Sequence, residues 1–490
     1  MINSIQHFTE SGIKNLEAIK ENFMRNPKDI ASFVNNSKEE FIKFLVEYLG
    51  ETFTECDQML RDSMKRTLDY VIVKRDRKSL ITSVGEIHFE KTLFKNKETG
   101  IREYLLDRIL GIEPNERMTE DAEERLLYEA VQTSYRRAGE ECSILDSVSK
   151  QTVMNKLHGL MFPPLKAIPA AKKIVDYLYI DADEDHIALQ YRDKKGDLVT
   201  NGQGRKKNNV LAKLVYVYEG VEAESPKSCR HRLINPYYFS GIYKGKDNQK
   251  LWDSVYEYMD SHYDLSKVKI IYLNSDGGGW IKEGASRFSG VVKVLDGFHL
   301  SQYLFKMTGH LLDSASDACD ELRDAIKNGS KPSFISVVDK VLIYAETDKA
   351  RARINNCRDY ILNNWKPAKA RLHSRDKVHG CSAEGHVSHV LASRMSSRPM
   401  GWSLKGGDKM ARLRAYYWNK GDILNLVRFQ KENHLLASGG EDIVLSASEI
   451  FLSEGCKENN DIGKYADVMR ASLSSDAKKY VWFNANIWGL

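Results

Sequence analysis

Residues 177–190, YLYIDADEDHIALQ, decide how the central part of this chain is interpreted. The run Tyr177–Ile180 is apolar on both faces, as the central strand of a sheet requires. Four acidic side chains follow within five positions, and they repel one another unless they are solvated or bound to cations. Because side chains alternate along a strand, Asp181, Asp183 and Asp185 fall on one face, and either of the first two could be a metal ligand. A solvated turn is the alternative for this segment taken alone.

A second strand pattern ends in an acidic residue that three glycines follow. VKIIYLNSDGGGW, residues 268–280, places Asp276 after the apolar run Val268–Leu273. Three glycines permit unusual backbone dihedral angles and the close approach of a substrate. Ligands of open α/β sheets tend to bind beyond strand ends of this kind. Asp276 is therefore the most specific of the candidate metal ligands.

The third acidic candidate, Glu384, opens a helical pattern in CSAEGHVSHVLASRM, residues 381–395. Apolar residues recur three, seven and eleven positions after it, which predicts that Glu384 shares their inward face. An inward carboxylate at a helix N-terminus is either a cap or a metal ligand. The nearby His386 and His389 lack an HExxH pattern and a third ligand at a suitable spacing, so polar packing or a phosphate contact is predicted rather than zinc.

Composition indicates an ordinary globular protein of two to four domains. The chain has 490 residues, of which 42% are hydrophobic and 29% charged. No apolar run approaches the roughly 20 residues of a membrane-spanning helix, and the N-terminus does not resemble a secretory signal. The seven cysteines are scattered and never form a CxxC pair. We therefore expect a cytoplasmic protein without a zinc site or a disulfide framework.

The net charge of +5 is small, but one region is strongly basic. Between residues 366 and 414 eleven basic residues face three acidic ones. Such a density fits a footprint on the phosphate backbone of a nucleic acid, and a solvated surface is the alternative. The basic residues are Lys366, Lys369, Arg371, Arg375, Lys377, Arg394, Arg398, Lys405, Lys409, Arg412 and Arg414.

The segment SYRRAGEECSILDSVSKQTVMNKLHGL, residues 134–160, resembles a helix-turn-helix with a long turn. Its predicted inner face consists of Ala138, Cys142, Val153 and Leu157, and Ser149 is the predicted cap of the second helix. Lys150, Gln151, Thr152 and Asn155 would then point outward at a DNA groove. Glutamine and asparagine side chains can bind the edge of adenine. Two helices packed for stability alone are the alternative.

Four regions follow from the periodicity along the chain. Residues 1–75 are predicted to be helical. Residues 76–165 are predicted to form a DNA-binding region. This region has a strand-like segment at 80–94, a turn at 95–100, a helix at 117–131 capped by Thr119, and the helix-turn-helix. Residues 170–435 form an α/β domain, and residues 436–490 are a tail without a recognisable motif. The α/β domain has predicted strands at 177–183, 186–192, 210–218, 268–274 and 290–295, helices at 248–262 and from about 299, and a helical insertion at about 313–365.

Taken together, these segments resemble the bacterial insertion-sequence DDE transposases of the ISLre type. The resemblance covers roughly residues 80–430. Its blocks are GEIHFEKTLF, YLLDRILGIEP and the helix-turn-helix in the N-terminal part, and YLYIDADEDHIALQ, DGGGWI and LDGFHLSQY in the central part. EGHVSHVLASRMSSRPMGWS, which begins at Glu384, is the most specific block. The long turn of the helix-turn-helix is the clearest departure from the family pattern.

The resemblance implies an RNase H-like catalytic domain with a helical insertion. Asp183, Asp276 and Glu384 would form the acidic triad. The family usually has Glu at position 181, which favours Asp183 over Asp181 as the first ligand. Asp296 and His299 are similar to a short motif, an acid or Cys followed by His, that supports the site in related transposases.

The implied activity is a two-metal DNA transposase. Two Mg²⁺ or Mn²⁺ ions can activate a water or a 3′-hydroxyl and stabilise the leaving oxygen of an in-line displacement. The enzyme would cut DNA at the ends of its element and join the freed 3′-hydroxyl to target DNA. We expect its partners to be double-stranded DNA, both the terminal inverted repeats and the target, and further copies of the same chain on that DNA. A nucleoid-associated location and no membrane contact would follow.

Two other functions are compatible with parts of the pattern. A tyrosine-type recombinase would need an arginine and histidine cluster, for which His389, Arg394 and Arg398 are candidates, and a covalent tyrosine at 416 or 417. That alternative leaves the glycine-flanked Asp276 unexplained. A DNA-binding protein that derives from a transposase and has lost its activity is the other alternative.

Overall fold

The structure is a computed structural model that describes residues 3–164, 168–190, 199–200, 206–228, 230–286, 288, 290–373, 382–398 and 400–437. The chain divides into two compact units, Met1–Val153 with Ile423–Leu490, and Met154–Asp422. The predicted tail lies outside the described residues from position 438 onward. Helices and strands are numbered below in chain order.

The first unit consists of helices and a small antiparallel sheet. A helical stretch at the N-terminus comprises α1 (Asn3–His7), a π-helical turn (Phe8–Gly12) and α2 (Ile13–Arg25). The elements that follow are α3 (Ile30–Asp62), α4 (Met64–Asp69), β1 (Tyr70–Ile81), β2 (Glu86–Asn96), β3 (Arg102–Tyr104), α5 (Leu105–Ile109), α6 (Glu120–Gln132), α7 (Tyr135–Glu141) and α8 (Lys150–Gly159), whose C-terminal part belongs to the second unit. The last described helix is α19 (Ile423–Ala437).

Strand β1 corrects the predicted helical character of residues 70–75. Those residues pair with β2 in antiparallel register, from Tyr70 opposite Asn96 onward. The run Tyr70–Val73 is aromatic and β-branched, which favours a pleated surface over a helix. The predicted strand at 80–94 is divided by a turn, in which the Thr82 hydroxyl donates to the Gly85 carbonyl at 2.8 Å. The turn predicted at 95–100 is confirmed, because β2 and β3 pair across it.

The helix-turn-helix segment packs as predicted. Ala138, Cys142, Val153 and Leu157 are fully buried. The Ser149 hydroxyl accepts a hydrogen bond from the Thr152 backbone N–H at 3.2 Å, so Ser149 caps the start of α8. The predicted helix at 117–131 is also present as α6.

The second unit is built around one five-stranded sheet. Its strands are β4 (Tyr177–Ala188), β7 (Asn209–Tyr218), β10 (Tyr237–Gly241), β11 (Ile270–Ser275) and β12 (Val291–Leu295). Two further strand pairs are β5 (Val199–Thr200) with β6 (Lys206–Lys207) and β8 (Gly220–Ala223) with β9 (His231–Ile234). The helices are α9 (Asn248–His262), α10 (Gly279–Ala285), α11 (Gly297–Thr308), α12 (Ala315–Lys327), α13 (Lys331–Ile343), α14 (Asp348–Asn363), α15 (Trp365–His373), α16 (Ala383–Val387), α17 (Ser393–Met395) and α18 (Leu404–Trp418), with a π-helical turn (Ser388–Ala392) that joins α16 to α17.

The sheet is mixed, as the sequence predicted. Its strand order is β10-β7-β4-β11-β12. β10, β7 and β4 are antiparallel neighbours, whereas β4, β11 and β12 run parallel. Two strands were predicted at 177–183 and 186–192, but β4 is continuous to Ala188 because its hydrogen bonding to β7 extends from Tyr179–Tyr218 to Ala188–Asn209. Residues 191 and 192 lie outside the described part.

Two apolar clusters of this unit hold the sheet and its helices. One lies between the sheet and helices α9 and α10, and Trp252 is its largest buried side chain. The other packs α11 to α15 against one another around Phe334 and Leu322. The segment at about 313–365, predicted to be helical, contains α12, α13 and α14. These helices share the cluster with α11 and α15.

Two further features concern the length of the described helices and the state of the described cysteines. None of the described helices combines the length and the apolar character that crossing a bilayer requires. The described cysteines are free thiols at positions 56, 142, 319 and 357. Cys229, Cys381 and Cys456 lie outside the described residues.

Candidate functional site

The parallel pairing of β4 and β11 brings the first two acidic candidates together. Ser275, the last residue of β11, is paired with Ala182 of β4. Asp276 and Asp183 come next in their strands, so they lie side by side at the same level of the sheet. The two positions are 93 residues apart in sequence, and only the strand register makes them neighbours.

The electrostatic environment of Asp183 reflects this proximity. Burial is the largest cause that raises the pKa of Asp183 to about 6, and the carboxylates of Asp276 and Glu184 raise it further. The Glu184 backbone N–H, which donates to Asp183 Oδ1 at 2.8 Å, and the charge of His299 act in the opposite direction. A carboxylic acid with a pKa in this range exchanges its proton near neutral pH, or loses it when a cation binds.

Helix α14 holds the loop that carries Asp276. The Tyr360 hydroxyl donates to the Asp276 carbonyl oxygen, and Gly278 N–H donates to Asp276 Oδ1 at 2.9 Å. Gly277 has φ +89°, and a Cβ atom there would lie 2.6 Å from Asn364 Oδ1. Any other residue at position 277 would therefore strain the backbone and clash with Asn364. A Cβ on Gly279 would meet no atom within 4 Å, so that position is open to a substrate.

Asp296 and His299 join the same edge of the sheet. Leu295 of β12 is paired with Ser275, so Asp296 follows at the level of Asp276. Asp296 Oδ2 contacts His299 Nδ1 at 2.8 Å, and the Asp296 carboxylate caps α11. This hydrogen bond is the main cause that raises the pKa of His299, with smaller contributions from the nearby acidic pair. Burial alone would raise the pKa of Asp296, but His299 and two backbone N–H groups bring it below its ordinary value.

Asp181 occupies a closed cage and has no exposed surface. Its Oδ1 accepts hydrogen bonds from Asn274 Nδ2 at 2.6 Å and from the Tyr218 hydroxyl at 3.1 Å. Its Oδ2 accepts from the Tyr216 hydroxyl at 2.9 Å and from the Ser382 backbone N–H at 3.2 Å. Since both oxygens are fully engaged with protein donors, the geometry favours Asp183 as the metal ligand of this strand.

Glu384 is exposed, which corrects the prediction that it shares the inward face of its helix. Val387, Leu391 and Met395 are buried as predicted. Helix α16 packs on β4, and the Ser382–Asp181 hydrogen bond fixes its N-terminal end there. Glu384 and Val387 belong to the same short α-helix, and three residues turn through about 300°, so Glu384 lies about 60° to one side of the buried face that Val387 occupies.

The two histidines of this helix lie in different surroundings. His386 Nδ1 contacts the Tyr238 hydroxyl at 3.0 Å, and its ring lies 4.7 Å from that of Tyr216. Burial, with a smaller effect of His389, lowers the pKa of His386 to about 4, so it is neutral at physiological pH. Polar packing, one of the two roles predicted, is therefore what His386 does. His389 is exposed.

Two arginines of the basic region serve the interior of this unit. Arg414 is 5% exposed, and its guanidinium donates to the carbonyl oxygens of Val390, at 2.5 Å, and His389. Arg394 is equally buried and lies over the ring of Trp402, with its Cζ 5.0 Å from the ring centroid. The surface role predicted for Arg394 and Arg414 does not fit this burial.

The other described basic residues of positions 366–414 are exposed at Lys366, Arg398 and Lys405 and half-buried at Lys369, Arg371, Lys409 and Arg412. Arg412 forms an ion pair with Asp408 at 2.9 Å. Arg375 and Lys377 lie outside the described residues. In α8, Lys150, Gln151 and Asn155 are exposed and Thr152 is half-buried, so the predicted outward face is outward.

Comparison with known proteins identifies the family. The model of an uncharacterised protein family, UPF0236, matches residues 24–433. The chain belongs to this family. A UPF0236 protein of Caldanaerobacter subterraneus subsp. tengcongensis is 32% identical over 413 residues, which are 84% of this chain and 83% of the relative. Its name joins eleven locus designations. A UPF0236 protein of Streptococcus gallolyticus, named for the vanSb 3′ region, is 25% identical over 411 residues, 78% of this chain and 84% of the relative.

One solved structure has a weak likeness to this member of UPF0236. It is the Drosophila P element transposase strand transfer complex, with 12% sequence identity and a TM-score of 0.22 over 69% of this chain and 86% of the other. A TM-score of this size does not establish a shared fold. The names of the UPF0236 relatives state no activity.

The acidic pair fits a hard divalent cation. Mg²⁺ is commonly held by one or two carboxylates together with water and substrate phosphates. Asp183 and Asp276 provide two such carboxylates, and a bound cation would offset both the burial and the neighbouring negative charge that raise the pKa of Asp183. In the part of the chain that the structure describes, no three acidic, histidine or cysteine side chains gather closely enough to hold a metal ion by themselves.

Several residues of this site were not identified from the sequence. They hold the acidic residues in place and are Tyr216, Tyr218, Asn274, Tyr360 and Asn364. One signal was present, because polar tyrosine hydroxyls at alternate positions of the buried strand VYVY need partners inside the protein. Tyr360 and Asn364 belong to the helical insertion, and nothing in their local sequence connects them with Asp276.

Proposed function

We propose that this chain is a metal-dependent DNA transposase that cleaves and joins phosphodiester bonds. The observation that carries the proposal is the Asp183–Asp276 pair, which two parallel strands bring together and in which burial and mutual repulsion raise the pKa of Asp183. Perturbed carboxylates of this kind concentrate at catalytic sites. The resemblance of the surrounding segments to DDE transposases agrees with it.

The domain is proposed to be RNase H-like. A mixed sheet with Asp183 within β4 and Asp276 directly after the adjacent β11, and helices between Asp276 and Glu384, agrees with the arrangement that the resemblance implies. The insertion supports the site directly, since Tyr360 binds the Asp276 carbonyl oxygen.

Asp183 and Asp276 would hold the metal, and Glu384 would complete its ligands. When bound, Mg²⁺ or Mn²⁺, two ions in the full site, would activate the attacking oxygen and stabilise the leaving oxygen of an in-line displacement. Residues of the chain itself would accept or release protons and bind the phosphate. Asp183 would give up its proton as the site becomes charged, and His299, whose hydrogen bond to Asp296 raises its pKa and so favours the charged ring, would supply a positive charge for a phosphate oxygen.

DNA binding is proposed for two sets of exposed side chains. Gln151 and Asn155 of α8 have the side chains that bind adenine edges, and Lys150 would contact phosphate. Arg398 is the exposed arginine of the basic region that remains a candidate for the backbone. We expect the protein to act as a homo-oligomer on paired element ends and to associate with the nucleoid.

The names of the relatives support the proposal independently. One Caldanaerobacter relative carries eleven locus designations, which is the pattern of a gene present many times in one genome. Elements that move or copy themselves produce such repetition. A housekeeping enzyme or a structural protein does not require many copies of its gene in one genome.

The decisive experiment is strand cleavage and transfer with DNA that carries the inverted repeats flanking the gene. Wild type should nick that DNA and join it to a target in Mg²⁺ or Mn²⁺, and Asp276→Ala should not. Equal activity of the two proteins, or no activity of the wild type on any flanking sequence, would overturn the proposal. DNA binding without any cleavage would instead favour the inactive DNA-binding protein.

The tyrosine-type recombinase is disfavoured by the structure of its proposed cluster. Arg394 is buried against Trp402 and is not available to a phosphate. The Tyr416 hydroxyl donates to the Asp422 carbonyl oxygen at 2.8 Å. Cleavage in EDTA with a covalent protein–DNA adduct would restore that alternative.

A further inference from the structure

Asp181 is the most completely hydrogen-bonded acidic side chain of the site, and it connects the sheet to the helix of Glu384. Five groups donate to it: the hydroxyls of Tyr216, Tyr218 and Ser382, the Asn274 amide and the Ser382 backbone N–H. Three of these donors lie in the sheet, and Ser382 at the start of α16 provides the other two. The carboxylate therefore lies at a helix N-terminus, where a negative charge is favourable.

A second contact fixes the same helix to the same face of the sheet. The Tyr216 hydroxyl also lies 2.8 Å from the Ser382 hydroxyl, and His386 contacts the Tyr238 hydroxyl at 3.0 Å. Ser382 and His386 are four positions apart, hence on one side of the helix. Both are therefore anchored to the neighbouring strands β7 and β10.

This anchoring determines where Glu384 points. Each residue of a helix turns by about 100°, so Glu384 projects from roughly the opposite side to Ser382 and His386. It is turned away from β7 and β10 and is exposed. Asp183 lies two positions beyond Asp181 on β4 and on the same face of that strand, so the anchored end of the helix stands next to the strand that carries the first candidate ligand.

We propose that Asp181 is a positioning residue, whose buried carboxylate, with Tyr216, anchors the Ser382 end of α16 and so holds the helix of Glu384 beside the strand of Asp183. The proposal rests on the proposed metal-dependent function and assigns Asp181 a role different from that of a ligand. It explains why a fourth acidic residue stands beside the candidate ligands without any exposed surface. Replacement of the anchor should then weaken metal binding through Glu384 alone.

Tyr216 and Tyr218 provide a matched pair of variants. Both are buried in β7, and both donate one hydrogen bond to Asp181. Only Tyr216 also contacts Ser382. Tyr216→Phe and Tyr218→Phe therefore remove the same group from the same carboxylate, but only the first loosens the helix.

The measurement is Mn²⁺ titration of the full-length protein by electron paramagnetic resonance, with thermal unfolding of each variant as the test of folding. Glu384→Gln should weaken Mn²⁺ binding roughly 10-fold, Tyr216→Phe by a similar factor, and Tyr218→Phe by less than about twofold. Because Tyr216 acts through Glu384, the double variant Tyr216→Phe with Glu384→Gln should bind Mn²⁺ no more weakly than Glu384→Gln alone. Ser382→Ala, at a half-buried position, replaces Tyr216→Phe if the latter does not fold.

The outcomes separate this inference from the proposed function. Equal effects of the two tyrosine variants, full additivity in the double variant, or no effect of Glu384→Gln would overturn the positioning role. If Asp183→Asn and Asp276→Asn bind Mn²⁺ as wild type does, the metal site itself is wrong. Cleavage assays in parallel should show the loss in Tyr216→Phe partly restored at high Mn²⁺ concentration.

Discussion

Asp276 lies one position beyond the Ser275–Ala182 pair of the sheet and therefore beside Asp183. Neither residue has a salt-bridge partner in the described part of the chain, and the Asp276 carboxylate raises the electrostatic cost of ionising Asp183. Such a pair reduces the stability of the folded protein, and it persists where function requires it. The repulsion within this pair affects the pKa of Asp183 and the free energy of unfolding, and both can be measured without an activity assay.

Asp276→Asn should lower the pKa of Asp183 and stabilise the metal-free protein. The asparagine Oδ1 can still accept from Gly278 N–H, so the loop is kept while the charge is removed. Because burial is the largest cause of the raised pKa, a partial decrease from about 6 is expected rather than a return to the ordinary value. The expected gain in the free energy of unfolding is about 1 kcal/mol. Carboxylate titration by NMR and urea unfolding measure the two effects.

The exposed Asp339 of α13 provides the control for Asp276→Asn. Asp339→Asn removes the same charge far along the chain from the pair, so it should leave the pKa of Asp183 and the free energy of unfolding unchanged. An unchanged Asp183 pKa in Asp276→Asn would show that the two carboxylates do not interact.

Gly277→Ala and Gly279→Ala should separate the structural from the substrate role of the glycine run. At Gly277 the left-handed φ and the close Asn364 make an alanine costly by about 1–3 kcal/mol. At Gly279 the added methyl meets nothing within 4 Å, so the free energy of unfolding should not fall. If DNA approaches that open position, Gly279→Ala will nevertheless reduce cleavage. Full activity in Gly279→Ala would remove the predicted substrate contact.

The sheet could be predicted from the sequence because its strands are short apolar runs with clear ends. Strands 210–218, 268–274 and 290–295 and helix 248–262 match β7, β11, β12 and α9 closely. Edge strand β10 and the β8–β9 pair were not predicted, since their segments are short and partly polar, and only tertiary pairing makes them strands. Helix α18 was not predicted either, because its basic residues were assigned to a surface.

The sequence predicted which residues form the acidic pair, but not the contacts that depend on the register of the sheet. Asp183 and Asp276 were identified from strand ends, and parallel pairing places them together as that pattern requires. The cage around Asp181 depends on tyrosines of β7, which only the antiparallel pairing with β4 brings near. The face of Glu384 was wrong because this residue, three positions before the buried Val387, lies about 60° to one side of it, at the exposed edge of the helix face.

Arg414→Ala should destabilise the fold, in contrast to the DNA-binding role predicted for it. Its guanidinium donates to Val390 and His389 carbonyl oxygens and to the Ser393 hydroxyl at 2.8 Å, and the loss of these bonds leaves buried acceptors without a partner. A loss of about 2–4 kcal/mol is expected. Arg398→Ala, at an exposed position, should leave stability unchanged and lower the slope of log affinity for DNA against log salt by about 1. An Arg414→Ala variant that is as stable as wild type but has a changed salt slope would contradict the structural role of Arg414.

His386 should make the fold less stable as the pH falls below neutrality. Its pKa is about 4 in the folded protein and 6.5 in the unfolded chain, because burial against Tyr216 and Tyr238 disfavours the charged ring. Below pH 6.5 the unfolded chain therefore takes up the proton first. The stabilisation is complete above pH 6.5 and is lost progressively as the pH falls to about 4, by up to about 3 kcal/mol.

Urea unfolding at several pH values between 4 and 7 measures this loss, and a variant isolates it. Asp183 contributes with the opposite sign over part of that range, since a raised carboxyl pKa stabilises the folded protein as the pH falls from about 6 toward 3.8. The quantity to compare is therefore the difference between wild type and His386→Phe, which keeps an aromatic ring against Tyr216 and cannot be protonated. That difference should diminish toward pH 4, whereas the exposed His389→Phe should follow wild type at every pH. Parallel curves for wild type and His386→Phe would mean that His386 is as accessible to protons in the folded protein as in the unfolded chain.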